Sequence, residues 1–113
     1  DIVSIHAPLN ENTKALIGER ELNLMKEGAV LMNFGRGGIV DENALARAID
    51  SKNLRACIDV LQSEPMRPNH PFLHLKNSAN LIITPHIAWA SKEAREKLIK
   101  LIVKNIEDFI KER

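Results

Sequence analysis

The chain has 113 residues, room for one small domain, and its 16 basic against 15 acidic side chains leave a charge of +1. That balance gives no long-range pull toward nucleic acid or anionic lipid, and 4% aromatics without a tyrosine argue against a base-stacking surface. With 44% apolar residues the composition is globular, and a single cysteine excludes a disulfide framework or a CxxC zinc site and fits a reducing compartment.

The sequence is strand-like from its first residues, Asp1-Ile2-Val3-Ser4-Ile5, with His6 and Pro8 at the strand end. Opening inside an element suggests a fragment. Thr13 to Gly18 reads as a turn and Glu19 to Lys26 as a helix with Leu22 and Met25 inward and Gly28 just past its end. Ala29 to Phe34 is a near-continuous apolar run, the pattern of a strand covered on both faces in a parallel sheet. Asp41 is placed to cap a helix running to about Ser51, followed by a strand over Leu54 to Val60. Residues 62–79 hold Pro65, Pro68 and Pro71 and read as a long loop. A short strand, Leu81 to Thr84, stops at Pro85, and Ser91 caps a final helix. This order predicts an α/β fold with a parallel sheet and right-handed crossovers. At 100° per residue the apolar side chains of the final helix cover an arc of about 200°, twice the usual stripe, so two partners are expected. No apolar run is long enough to span a membrane, and a cytoplasmic protein without a signal peptide is expected.

Ligands of parallel α/β sheets bind outside the carboxyl ends of the strands, which places the chemistry after Ile5, Phe34, Val60 and Thr84. A lone histidine such as His6 reads first as structural, on a segment that lines a site. Asn33-Phe34-Gly35-Arg36-Gly37-Gly38 surrounds an arginine with glycines, allowing close backbone approach and a guanidinium fork suited to a carboxylate. A tight turn with a solvated arginine fits the same residues. This segment is no GxGxxG, because position 40 is Val40. Asp59 lies in an apolar strand, where burial demands a partner. His86, held at a strand end by Pro85, could form an acid/base pair with a carboxylate, Asp59 or Glu64 being at hand, the carboxylate orienting the ring and stabilising its charged form. His70 and His74 lack a completing cysteine or carboxylate pattern, so no metal site is expected, and Cys57 reads as core.

Taken together, Asp1 to Leu9 with Thr13, Asn33 to Asp41, Asp59-Val60 with Glu64-Pro65, and Thr84 to Ile87 resemble the D-isomer-specific 2-hydroxyacid dehydrogenases in order and spacing. The resemblance implies the second half of a Rossmann-type doubly wound parallel sheet plus a long C-terminal helix. Residues 1–113 would form the C-terminal part of an NAD-binding domain, with the GxGxxG half and the substrate domain outside them. By the same resemblance Arg36 binds the substrate carboxylate, His86 is the acid/base histidine, and Glu64 is its partner. Asp59 meets the nicotinamide carboxamide, and His6 and Pro8 line the adenosine side. Asn33, Gly35, Arg36 and His86 complete the implied cofactor contacts. The implied reaction is hydride transfer between NAD(H), with NADP an alternative, and a small 2-keto or 2-hydroxy acid. Glu64, where formate dehydrogenases carry glutamine, argues against that branch. Ile87-Ala88-Trp89-Ala90-Ser91 resembles the glycerate dehydrogenase (hydroxypyruvate reductase) branch. Transcriptional corepressors share this fold and the Arg/Glu/His set, so an NAD-regulated binding module is an alternative, as is an inactive self-associating half-domain. An open edge at the first strand and the two-sided final helix point to a homodimer.

Overall fold

A computed structural model describes all 113 residues. Four parallel strands lie in the order β1 (Ile2–Ile5), β2 (Val30–Asn33), β3 (Arg55–Ile58) and β4 (Leu81–Ile83). Helices α1 (Glu19–Leu24) and α2 (Glu42–Lys52) are the connections from β1 to β2 and from β2 to β3. The β3–β4 connection carries two 3-10 turns, Pro71–His74 and Ser78–Asn80, and α3 (Lys92–Lys111) ends the chain. The expected α/β class, the parallel sheet and the order of elements along the chain are those of the structure.

Local chemistry explains the boundaries. Asp41 accepts a hydrogen bond from Ala44 N–H at 3.0 Å and so starts α2, while Ser91 does the same for Ala94 N–H at 3.1 Å and starts α3. Lys52 Nζ donates to the carbonyls of Leu22, Asn23 and Met25, tying the end of α2 to the end of α1 with a cation where both helix dipoles favour one. Helix α1 stops before Lys26, shorter than the sequence suggested, because Met25 is already extended. The proline-rich stretch is partly ordered: Asp50 accepts from the N–H groups of Lys76 and Asn77, and His70 caps the turn at Phe72.

The core lies on one face of the sheet. Ile5, Leu31, Ala56 and Ile58 point to the side covered by Leu22 of α1, Leu45 and Ile49 of α2, and Phe72. The other face, with Ile2, Val30, Met32, Cys57 and Ile82, contains no buried residue. The apolar run of β2 predicted cover on both faces, and this chain supplies it on one. Helix α3 likewise has no buried residue. The radius of gyration is 17.3 Å, against about 13 Å for a compact chain of this length. A 20-residue helix is about 30 Å long, and α3, with its 20 residues, draws the molecule out to 58 × 28 × 26 Å.

Candidate active site

The segments following the four strands converge at the carboxyl end of the sheet. Behind β2, the side chain of Asn33 is buried and turns back into its own loop. Its Oδ1 accepts from Gly35 N–H and its Nδ2 donates to the Arg36 carbonyl, both at 3.0 Å. Asn33 thus shapes the turn that presents Arg36 and does not itself face the cleft. The glycines let this turn touch its neighbours on both sides. A Cβ on Gly35 would stand 2.6 Å from the Ala7 carbonyl oxygen, and one on Gly37 would stand 1.9 Å from that of Leu61.

Behind β3 and β4, Asp59 is 3% exposed and ties its strand to the next loop. Its Oδ1 accepts from Thr84 Oγ1–H at 2.5 Å and Ile87 N–H at 2.9 Å, and its Oδ2 accepts from Ala88 N–H at 3.0 Å. Burial by itself would push this carboxyl up, but the Thr84 hydroxyl and the Ala88 and Ile87 amides outweigh it and hold Asp59 below the ordinary aspartate range. Those three donors fasten the loop around His86, whose backbone φ of +55° lies in the left-handed region that a non-glycine residue occupies only when its surroundings impose it.

His86 Nδ1 lies 2.8 Å from Glu64 Oε2, with both side chains about 40% exposed. The other glutamate oxygen accepts from Leu61 N–H at 2.9 Å. The His86 hydrogen bond, then that of Leu61, holds the Glu64 carboxyl below the ordinary glutamate range. An ionised Glu64 requires the Nδ1 proton as donor, which leaves His86 Nε2 without a protein partner. Trp89 Nε1–H donates to the His86 carbonyl at 2.8 Å, a further tie on the His86 loop.

His6, Phe34, Arg36, Asp59, His86, Ala88 and Trp89 line one cleft of about 400 Å³. An adjoining cleft of about 570 Å³ runs along His6, Pro8, Gly35 and Arg36. Arg36, Asp59, His86 and His6 therefore share one space, Pro8 and Gly35 border its extension, and Glu64 stands behind His86. Sequence reasoning did not assign Thr84 or Trp89, although Thr84 two residues before His86 and Trp89 three after it were visible signals. No three His, Cys, Asp or Glu side chains gather as metal ligands. No helix is long and apolar enough to cross a membrane.

The family model described as "D-isomer specific 2-hydroxyacid dehydrogenase, NAD binding domain" matches residues 1–88. The chain belongs to this family. Within the family, the glycerate dehydrogenase of Methylorubrum extorquens is 42% identical over 97% of this chain and 35% of its own length. The D-lactate dehydrogenase of Aquifex aeolicus, solved with NAD and lactic acid, superposes with a TM-score of 0.84 at 31% identity, covering 98% of this chain and 37% of that one. An acyclic imino acid reductase solved with NADPH and D-Arg gives 0.87 at 36% identity over 99% and 35% of the two chains. The chain spans about a third of the length of the curated relatives it matches. As an NAD-binding domain of the 2-hydroxyacid dehydrogenases it can be tested for fit to the dinucleotide. Asp59 and His86 share the cleft that would take the nicotinamide end, and the adjoining cleft along His6, Pro8 and Leu9 would take the rest. The pyrophosphate end finds no such place: the sequence has no GxGxxG, and the first turns of α1 and α2 are already met by the carboxylates of Glu21 and Asp41.

Proposed function

We propose that this chain supplies the acid/base and carboxylate-binding groups of an oxidoreductase that interconverts a small 2-keto acid, such as hydroxypyruvate, and its D-2-hydroxy acid. One observation carries the reading: a histidine held by an ionised glutamate opens onto the same cleft as an arginine whose guanidinium matches a carboxylate. The nicotinamide cofactor, NAD(H) or its 2′-phosphate, supplies the hydride for the carbonyl carbon when bound. Arg36 fixes the substrate carboxylate by two parallel hydrogen bonds. His86 Nε2 holds the proton that passes to the carbonyl oxygen in reduction and takes it back in oxidation. Glu64 keeps the ring oriented and stabilises it while charged. Asp59 holds the loop of His86 and borders the place of the nicotinamide carboxamide, while His6, Pro8 and Gly35 border the rest of the dinucleotide.

In this reading residues 1–113 are the C-terminal part of the NAD-binding domain of a cytoplasmic dehydrogenase, a homodimer whose pyrophosphate cradle and substrate domain lie outside them. The glycerate branch is favoured by Ile87 to Ser91 and by the likeness to a glycerate dehydrogenase. Steady-state reduction of hydroxypyruvate, glyoxylate and pyruvate by the full-length protein tests it. Turnover is expected to be highest with hydroxypyruvate and to fall about 100-fold or more in His86→Ala. Tight NADH binding without turnover on any 2-keto acid would overturn it in favour of a cofactor-sensing module.

A further inference from the structure

Glu64 is one of two carboxylates that hold the backbone beneath His86. Its Oε1 takes Leu61 N–H, and the next amide, Gln62 N–H, is taken by Oε1 of Glu42 at 2.7 Å. Glu42 is the first residue of α2, and its other oxygen lies 2.8 Å from His70 Nε2, with only 6% of the histidine and 12% of the glutamate side chain exposed. His70 Nδ1 accepts from Phe72 N–H at 3.3 Å, so that nitrogen carries no proton and Nε2 is the donor to Glu42. Removing a carboxylate and an imidazole from water is a poor route to stability, since apolar side chains of similar volume serve as well or better. What an apolar pair lacks is an acceptor for Gln62 N–H.

The peptide that joins Leu61 to Gln62 is thereby constrained on every side. Its carbonyl lies against Gly37, where a Cβ would overlap it at 1.9 Å, and its N–H is fixed by Glu42. The preceding amide is the donor to Glu64. We propose that Glu42 and His70 are positioning residues for the acid/base pair: they fix residues 61 and 62 so that Leu61 N–H holds Glu64 against His86. This rests on the reading of His86 as the acid/base group. Glu64, Asp59, Arg36 and His6 are the charged or titratable groups that face His86, and Glu42 makes no hydrogen bond to any of them. An effect of Glu42 on His86 therefore travels through residues 61–64.

The test follows the four histidine rings and the amides of Leu61 and Gln62 by NMR in the 113-residue chain. In Glu42→Gln, the single amide oxygen cannot serve both Gln62 N–H and His70. The Gln62 amide is expected to exchange about tenfold faster or more, and the titration midpoint of His86 to move down toward that of Glu64→Gln. Glu42→Asp, which keeps the charge and withdraws it by one methylene, is expected to shift both in the same direction by less. A folded variant of either kind with both readouts unchanged overturns the proposal. If both variants fail to fold, the unsubstituted chain decides: a Gln62 amide exchanging as fast as an exposed loop amide overturns it, and protection supports it. In the full-length protein Glu42→Gln should lower kcat about tenfold with KM for the keto acid nearly constant. A parent without keto-acid turnover would remove the proposed reaction, and the ring and amide measurements would still judge the positioning.

Discussion

Arg36 sits on a turn braced from below by Asn33, and its Nη1 donates to the Gly35 carbonyl at 3.0 Å, which leaves the remaining N–H groups of the fork for an anion. Arg36→Lys keeps the charge and loses the planar fork. Losing one charge-assisted contact of this kind costs about 1.5–3 kcal/mol, or roughly 10- to 150-fold in kcat/KM for the keto acid, while the NADH dissociation constant stays nearly unchanged. Kinetics with both substrates separate the two effects. At Glu64 the hydrogen bond from His86, then that from Leu61 N–H, holds the carboxyl below its ordinary range. Glu64→Gln removes the anion, so the ring gives up its proton at lower pH. The alkaline limb of the keto-acid reduction profile, which needs that proton, is then expected to move to lower pH. Folding stability carries the opposite signature. A depressed carboxyl stabilises the fold fully above its unfolded value near 4.5, and that contribution is lost as the pH falls from there through the lower folded-state value. Denaturant titrations at several acidic pH values should therefore show a shallower pH dependence for the glutamine variant.

Among the elements, α3 stands apart. It is capped by Ser91 and laced by Lys104 to Asp108, yet no side chain of its 20 residues is buried. Trimming the chain after Ala90 should therefore leave the cooperative melt of the sheet and its two packed helices almost unchanged, with a loss of helical signal in circular dichroism. A large drop in melting temperature would mean that α3 packs on the core in solution. Its wide apolar face was legible in the sequence as a double-width arc, but the two partners expected from that arc are not supplied within these 113 residues. Strands and helices were legible in the same way, through capping residues such as Asp41 and apolar runs such as that of β2. Less legible was anything set by residues distant in the chain. The turns at Pro71–His74 and Ser78–Asn80 depend on Asp50 and His70, and the burial of His70 depends on a glutamate 28 positions earlier. The outer face of β2 shows the converse limit. Its apolar pattern records cover that these 113 residues do not themselves supply. At the site, Arg36, Glu64 and His86 were readable because strand ends concentrate polar residues in an apolar sheet. The inward turn of Asn33 and the three donors around Asp59 needed the backbone geometry.

For the molecule as a whole, two apolar surfaces remain open: the sheet face with Ile2, Met32 and Ile82, and the arc of α3 with Leu101, Val103 and Phe109. The outer edge of β1 also has no paired strand. A twofold assembly would cover the same patch on both copies at once. Sedimentation of the 113-residue chain at micromolar concentration is expected to show a dimer. A monomer across the concentration range would count against self-association through these surfaces. Calorimetry on the same sample should show weak or undetectable NADH binding, because the sequence has no GxGxxG and the N-termini of its three helices are already met by Glu21, Asp41 and Ser91.

The contact between Gly37 and the Leu61 peptide has a consequence for how freely this sequence can drift. With the carbonyl oxygen only 1.9 Å from where a Cβ would stand, even alanine must push apart two loops that carry opposite sides of the site. In a saturation library selected for turnover, codon 37 should admit glycine alone, whereas the exposed codon 62 in the facing loop should admit nearly everything, because its contribution is an amide that all residues but proline possess. Tolerance to substitution along this chain would then follow the spacing between backbones more closely than distance from the reacting atoms.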